Sequence, residues 1–256
     1  MYNKSQLIKI YEDTVRISKQ TMSNTETKKY TFKDIYLLPK DKRKGEVLVE
    51  NSDTITSTIK YSLKGKTCML NMASPKRPGG GVSNGARAQE ECLFRSTNLS
   101  EHIPSSLYPL SNYDAIYTKN ALILKDGDYG LINTPIEVDC VTIAALNLNK
   151  VSKKDIKWFT LESQNDFEVI KGYEGLTKMK IRLMLSLAHR NGNKNIILGA
   201  WGCGVFGNHP KEMSQMFYDV LYNEEMRLMF DNVVFSVIND NNSTDDNYTI
   251  FRNKFN

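Results

Sequence analysis

The chain is poor in the residues that staple or metallate small folds. Its 256 residues include four cysteines (Cys68, Cys92, Cys140 and Cys203), and no two form a CxxC pair. Buried, reduced thiols are therefore expected, and neither a disulfide framework nor a zinc site. The three histidines, His102, His189 and His209, are scattered, so no metal cluster built on them is expected. No apolar run reaches the roughly 18 residues that a membrane-spanning helix needs. The first twenty residues mix charge with Leu7, Ile8, Tyr11 and Val15, which reads as an amphipathic helix and not as a signal peptide. There is no internal repeat and no long linker. Charge of one sign is scarce too. Lys and Arg number 34 against 29 Asp and Glu, a net charge of +5. That balance suits an anionic ligand but lacks the dense basic stripe of a duplex-DNA binder. With 40% hydrophobic and 25% charged residues, a packed core is expected and disorder is not. The expectation is a cytoplasmic monomer with no membrane contact, no dedicated nucleic-acid binding and no cofactor.

Patterning along the chain alternates between strand-like and helix-like segments. Residues 1–45 read as a helical or irregular lead-in, expected to cover one edge of a sheet. The charge run Lys40–Lys44 reads as a solvated loop. Residues 46–256 read as one globular unit. Glu46–Glu50, Cys68–Ala73, Val138–Leu146, Asn195–Trp201 and Asn232–Ile238 are predicted strands, and Ala115–Leu124 a strand or hairpin. Thr54–Leu63 and Lys211–Tyr222 are predicted helices, and a further helix opens at Gln89 and runs through Leu99. Leu176, Met179, Leu183 and Leu187 recur at helical spacing within 173–190, and Asn191-Gly192 closes that helix. The alternation predicts an α/β sandwich, a mixed sheet with helices on both faces.

Two glycine-rich stretches follow predicted strands. The first reads Pro78-Gly79-Gly80-Gly81, seven residues, then Gln89-Glu90-Glu91. It places two adjacent carboxylates at a helix start, behind a stretch of backbone that carries no side chains. The second runs from Gly199 through Trp201, Gly202, Cys203, Gly204, Val205, Phe206 and Gly207 to Asn208, just before Pro210. Its N–H groups, with the following helix N-terminus, favour phosphate oxygens. Gly202-x-Gly204-x-x-Gly207 also matches the dinucleotide fingerprint. That reading fails, because the fingerprint opens a unit that needs several further crossovers, and only one convincing strand remains. Neither stretch contains GK[ST], which excludes a P-loop.

In this order, each behind a strand, the two motifs resemble the microbial-type poly(ADP-ribose) glycohydrolases, enzymes of the macrodomain fold. The resemblance covers roughly residues 45–240, and residues 1–45 resemble the family's helical extension more weakly. It implies a macrodomain-like three-layer sandwich, ADP-ribose or poly(ADP-ribose) as ligand, carried in some cases on modified proteins, and no metal. Residue by residue, it puts the catalytic acid on Glu91 and the holder of the distal ribose on Glu90. Gly79, Gly80 and Gly81 fall on the loop around that ribose and the diphosphate. Asn71 falls on a ribose-contacting strand end, and Gln89 on a substrate-binding position. Gly202, Cys203, Gly204, Val205 and Phe206 fall on the diphosphate loop, with Phe206 near the distal ribose. Asp53 falls on an acidic contact to adenine.

The chemistry is consistent with those residue types. A ribose–ribose bond breaks through an oxocarbenium-like transition state that needs a proton on the leaving oxygen and negative charge near the ring. Neighbours on a helix point roughly 100° apart and do not face each other. Glu90 and Glu91 therefore cannot flank the bond as a carboxylate pair. One is expected to transfer protons while the other hydrogen-bonds ribose hydroxyls, and spacing does not rank them. Their mutual repulsion is expected to raise the pKa of the more buried one, against the helix dipole. Three other readings compete: a non-catalytic ADP-ribose reader; a hydrolase of ADP-ribose attached to protein, nucleic acid or a small acyl group; and, more distantly, general nucleic-acid binding. Residues 100–112 are expected to shape the leaving-group side, with Tyr108, Tyr113 and Tyr117 as half-buried packing residues or ligand-stacking groups.

Overall fold

The predicted strands assemble into one sheet. The computed structural model describes residues 2–35, 42–150, 152–156, 159–162, 167–170, 172–239 and 246–256. Seven strands form its main sheet: β1 (Glu26–Thr31), β2 (Glu46–Glu50), β3 (Thr67–Met72), β4 (Asp114–Lys125), β5 (Leu131–Ile143), β8 (Asn195–Leu198) and β9 (Asn232–Ser236). Their order is β1-β4-β5-β3-β8-β9-β2. The pairs β3/β5, β3/β8, β8/β9 and β2/β9 are parallel, and β1/β4 and β4/β5 are antiparallel. A separate hairpin joins β6 (Phe159–Glu162) and β7 (Phe167–Ile170).

Central strands are buried on both sides, so they read as continuous apolar runs instead of alternating ones. In β3, Cys68 and Leu70 enter one core and Met69 the other. The first core receives α5 (Gly172–Arg190), α6 (Pro210–Tyr218) and α7 (Asn247–Phe255); the second receives α2 (Thr54–Ser62) and α3 (Gln89–Ser96). Helices on both faces of a mixed sheet make the three-layer α/β sandwich that the patterning predicts. Among the described residues, no helix is long and apolar enough to cross a membrane.

Several elements differ from the sequence reading. Residues 1–45 supply α1 (Lys4–Gln20), opened by an Asn3–Gln6 capping box, but they also supply β1. That strand forms one edge of the main sheet, and Lys28 and Lys29 on it discourage further pairing. The helix opened by Gln89 stops at Ser96. Thr97 turns extended and bridges to Ile123, and Leu99 starts a separate short helix, α4 (Leu99–His102). Strand β5 begins seven residues before the predicted start; Leu131–Glu137 is mostly exposed and so lacks an apolar signature. Strand β8 ends at Leu198, short of Trp201. Helix α6 gives way at Asp219 to a π-helical turn. The β6–β7 hairpin and α7 have no counterpart in the sequence reading. Of the Lys40–Lys44 run, Lys40 and Asp41 lie outside the described residues. Lys42 and Arg43 pair at the surface with Glu225 and Asp231.

Candidate active site

The parallel strands β3, β5, β8 and β9 end on the same side of the sheet, where open α/β folds bind ligands. The first glycine motif bridges β3 and α3. Gln89 opens α3, and its amide is committed to two backbone groups and the Thr54 hydroxyl. Its Oε1 accepts from the Met72 N–H (2.9 Å), and its Nε2 donates to the Leu70 carbonyl (2.6 Å) and to Thr54 Oγ1 (3.1 Å). Gln89 thus holds the helix start against the strand end, where the resemblance implies a ligand contact.

The carboxylates that follow are held by backbone donors. Glu90 accepts from the N–H of Ser74 (2.7 Å, Oε2) and of Gly79 (3.1 Å, Oε1). Glu91 Oε1 accepts from the Gly81 N–H (2.8 Å). Gly80 lies between the two. A Cβ there would come within 2.5 Å of Glu91 Oε1 and 2.9 Å of Glu90 Oε2, and its φ is +52°. So glycine at position 80 is required first by the protein's own carboxylates, before any ligand.

Both glutamates are buried, at 3% and 6% exposure, with Glu90 the deeper. Burial pushes the Glu90 carboxyl up from an ordinary 4.5 to about 8. The Ser74 N–H pulls against that, the adjacent Glu91 adds to it, and the Asn71 amide and Gly79 N–H pull back. The expected raised carboxyl is therefore on Glu90. Two buried acceptors here, Glu91 Oε2 and Asn71 Oδ1, have no hydrogen-bond partner in the protein. Asn71 is fully buried and donates to Thr142 Oγ1 (3.3 Å). A buried acceptor without a donor is costly, and a ligand hydroxyl offers such a donor. Tyr108, after the short turn at Ser105–Leu107, is half-buried; burial and the Glu90 charge raise its phenol above the usual range. Tyr113 meets Phe32 edge-on, and Tyr117 is buried with its hydroxyl on Asp139 (2.6 Å). These last two are packing residues.

The second motif is sewn to the chain after β5. Trp201 Nε1 donates to the Ile143 carbonyl (3.1 Å), Asn208 Nδ2 to that of Leu146 (2.8 Å), and Asn149 Nδ2 to that of Val205 (2.8 Å). Gly202 has φ +77°, and a Cβ there would meet Asn208 Nδ2 at 2.6 Å and Ala145 at 2.7 Å. Val205 is 60% exposed, whereas Cys203 turns into the core at 2%. The Cys203 side chain is therefore directed away from the cleft, unlike its neighbours in the motif.

A cleft of about 210 Å³ runs between the motifs. Arg87, Ala88 and Gln89 line one wall; Gly202, Gly204, Val205 and Phe206 line another. Asp53 borders it as well, although both its oxygens are engaged in capping α2, from Thr56 N (2.9 Å) and Thr56 Oγ1 (2.5 Å). Asn71, Gly79, Gly80, Gly81, Glu90 and Glu91 are not among the lining residues. Asn71 is on β3, and the others are on the loop and helix start adjoining the lining residues Ala73 and Gln89. The sequence reading missed a further part of the cleft lining, made by Ser236 at the end of β9, by Val237 and Ile238 after it and by Asn247 on α7. The only available signal was their place just beyond a parallel strand. Among the described residues, no group of three or more His, Cys, Asp or Glu side chains could hold a metal ion.

Residues 2–126 match the family model described as microbial-type PARG, catalytic domain. The match spans just under half of the 256-residue chain. The matched span includes α1, β1 and the first glycine motif, and the second motif lies beyond it. Among solved structures, the poly(ADP-ribose) glycohydrolase of Thermomonospora curvata superposes with a TM-score of 0.79 at 22% identity, covering 97% of this chain and 99% of that one. The same enzyme bound to the inhibitor ADP-HPD gives 0.77 at 22% identity, with the same coverage. The poly(ADP-ribose) glycohydrolase of Deinococcus radiodurans in complex with ADP-ribose gives 0.70 at 22% identity, covering 94% of this chain and 96% of that one. The fold of the PARG enzymes is thus the fold of this chain. No curated protein sequence matches it.

Proposed function

We propose that the protein hydrolyses the ribose–ribose O-glycosidic bonds of poly(ADP-ribose) and releases ADP-ribose. The observation that carries this reading is the pair of buried carboxylates held on backbone N–H groups around Gly80, beside a cleft walled by both glycine motifs. The microbial-type PARG match and the ADP-ribose and ADP-HPD complexes of the structural neighbours support it.

The diphosphate lies on the backbone of Gly202–Phe206, and the distal ribose reaches Glu90 and Asn71. Glu91 gives its proton to the leaving oxygen as the bond to the anomeric carbon breaks. Its carboxylate then takes a proton from the water that attacks that carbon, which regenerates the acid. The geometry of Glu91 supports this role: one oxygen is fixed by Gly81, and the other has no protein partner. Such acid–base help is worth about 10²–10⁴-fold in rate. Gln89 serves by fixing the helix start, and Asp53 by capping the helix that borders the adenine side.

Glu91→Gln is expected to lower release of ADP-ribose from the polymer by about 10²-fold or more while binding of free ADP-ribose persists in calorimetry. Unchanged turnover sinks the assignment. Binding by a wild-type protein that releases no ADP-ribose identifies a reader instead. The protein is further proposed to act as a cytoplasmic monomer, on polymer carried by modified proteins. Cell fractionation and light scattering test the first two points.

A further inference from the structure

The role of the N-terminal helix follows from what it touches. The seven residues between Gly81 and Gln89 lie under residues 2–14. Arg87 Nη2 donates to the Tyr2 carbonyl (2.6 Å). Gly85 has its Cα hydrogens against the Lys4 backbone, where a Cβ would approach the Lys4 carbonyl to 2.8 Å. The strongest tie is Arg95, on α3 one turn beyond Glu91. Its side chain is fully buried. Nε donates to the Leu7 carbonyl of α1 (3.2 Å), and Nη2 to the Ala86 carbonyl. Thr14 Oγ1 returns a bond from α1 to the Arg95 carbonyl (2.5 Å). Lys125, buried on β4, fixes the same stretch of α1 through Asp13 (2.8 Å) and the Ile10 carbonyl (3.2 Å).

These bonds form a continuous path. The Leu7 carbonyl holds the Arg95 guanidinium, which holds the Ala86 carbonyl. The Ala86 N–H donates to the Gly81 carbonyl (3.2 Å), and the Gly81 N–H donates to Glu91 Oε1 (2.8 Å). Its buried Nη1 has no hydrogen-bond partner, so the bonds formed by Nε and Nη2 are the ones that hold the guanidinium in place and set the spacing of the groups it joins.

We infer that α1 is a brace for the proton-transfer carboxylate, with Arg95 as the positioning residue that transmits it through Ala86 and Gly81. The inference rests on the proposed glycohydrolase reading for its kinetic consequence, but not for its structural one. Neither Arg95 nor Thr14 lines the cleft. Loosening the path should therefore misplace Glu91 and leave ADP-ribose binding largely intact, since small misplacements of a reacting group cost rate steeply.

The test compares the full-length wild type with Arg95→Lys and the milder Thr14→Val. It measures turnover of poly(ADP-ribose), the affinity for ADP-ribose, and amide hydrogen exchange of residues 79–91. Arg95→Lys is expected to lower kcat by about tenfold or more while KM and the ADP-ribose Kd move by less than about threefold. Exchange across 79–91 is expected to quicken. Thr14→Val should shift both in the same direction by less, and it carries the test alone should Arg95→Lys not fold. Quickened exchange in variants of a protein whose wild type does not cleave the polymer refutes the glycohydrolase reading and keeps the brace. Unchanged exchange, or losses of kcat and ADP-ribose affinity in parallel with melting temperature, overturns the brace.

Discussion

The two glycine-rich motifs meet the same cleft differently, the first only through Arg87, Ala88 and Gln89 and the second through its glycine loop itself. The first has its small residues pressed against the protein's own acid groups: at Gly80 a methyl would land on both Glu90 and Glu91. The N–H groups of Gly79 and Gly81 are already occupied by those carboxylates, and that of Gly80 by the Arg77 carbonyl. The second is pinned from behind by Asn149, Trp201 and Asn208 and turns an exposed Val205 outward. One loop spends backbone donors on the buried carboxylates, and the other keeps its face towards the cleft. Glycine richness alone therefore does not define a phosphate loop; what matters is which acceptors already hold the N–H groups.

The contrast can be broken most severely at Gly80. Gly80→Ala forces either the backbone or both carboxylates to move, because +52° is unfavourable for alanine and the space is taken. Polymer hydrolysis is expected to fall by about 10²-fold or more, with ADP-ribose binding weakened far less. Equal loss of both in a paired kinetic and calorimetric assay would contradict the division of labour.

A second effect concerns charge at the first loop. The Glu90 carboxyl is raised in the fold from 4.5 to about 8. The folded state therefore binds more protons than the unfolded chain across that window, and stability falls as pH rises through it. The contribution is fully present below about pH 4.5 and is lost as pH passes about 8. Glu90→Gln removes this slope, worth on the order of a few kcal/mol across the window. Denaturant unfolding of both proteins from pH 5 to 8 measures it, and parallel curves would show that Glu90 is not the titrating group.

The smallest effect is expected at the second loop. Gly202→Ala meets Asn208 and Ala145 at a φ of +77°, a strain of about 1–3 kcal/mol. Its signature is weaker ADP-ribose binding, with turnover at saturating polymer kept near wild type. A kcat loss as large as that of Gly80→Ala would erase the distinction between the loops.

The fold was legible wherever burial leaves a mark on composition. Strands β3, β8 and β9 are apolar because both of their faces are covered, and α5 carries its core stripe at helical spacing. Strand β1 was missed because an edge strand that reads Glu-Thr-Lys-Lys-Tyr-Thr has no such mark. The outer half of β5 was missed because it faces solvent. Helix α7 is short, and its Phe251 and Phe255 only gain meaning once Phe235 is seen beside them. At the site, the triple glycine and the acidic pair were readable as a motif. The work of Gln89 was not, because an amide bonded to Met72 and Leu70 and an amide bonded to a ligand look alike in sequence.

The sequence by itself determined which chemical groups are present: adjacent glutamates after side-chain-free backbone, a second glycine stretch behind a strand, and no cysteine or histidine arrangement suited to a metal. Those are local facts, written in spacing. The tertiary structure decided which carboxyl is the more buried and raised, that Cys203 turns inward, and that α1 lies on the segment leading to Glu91. Each of these depends on contacts between residues tens of positions apart. Burial and hydrogen-bond satisfaction are properties of the packed molecule, and no local pattern encodes them.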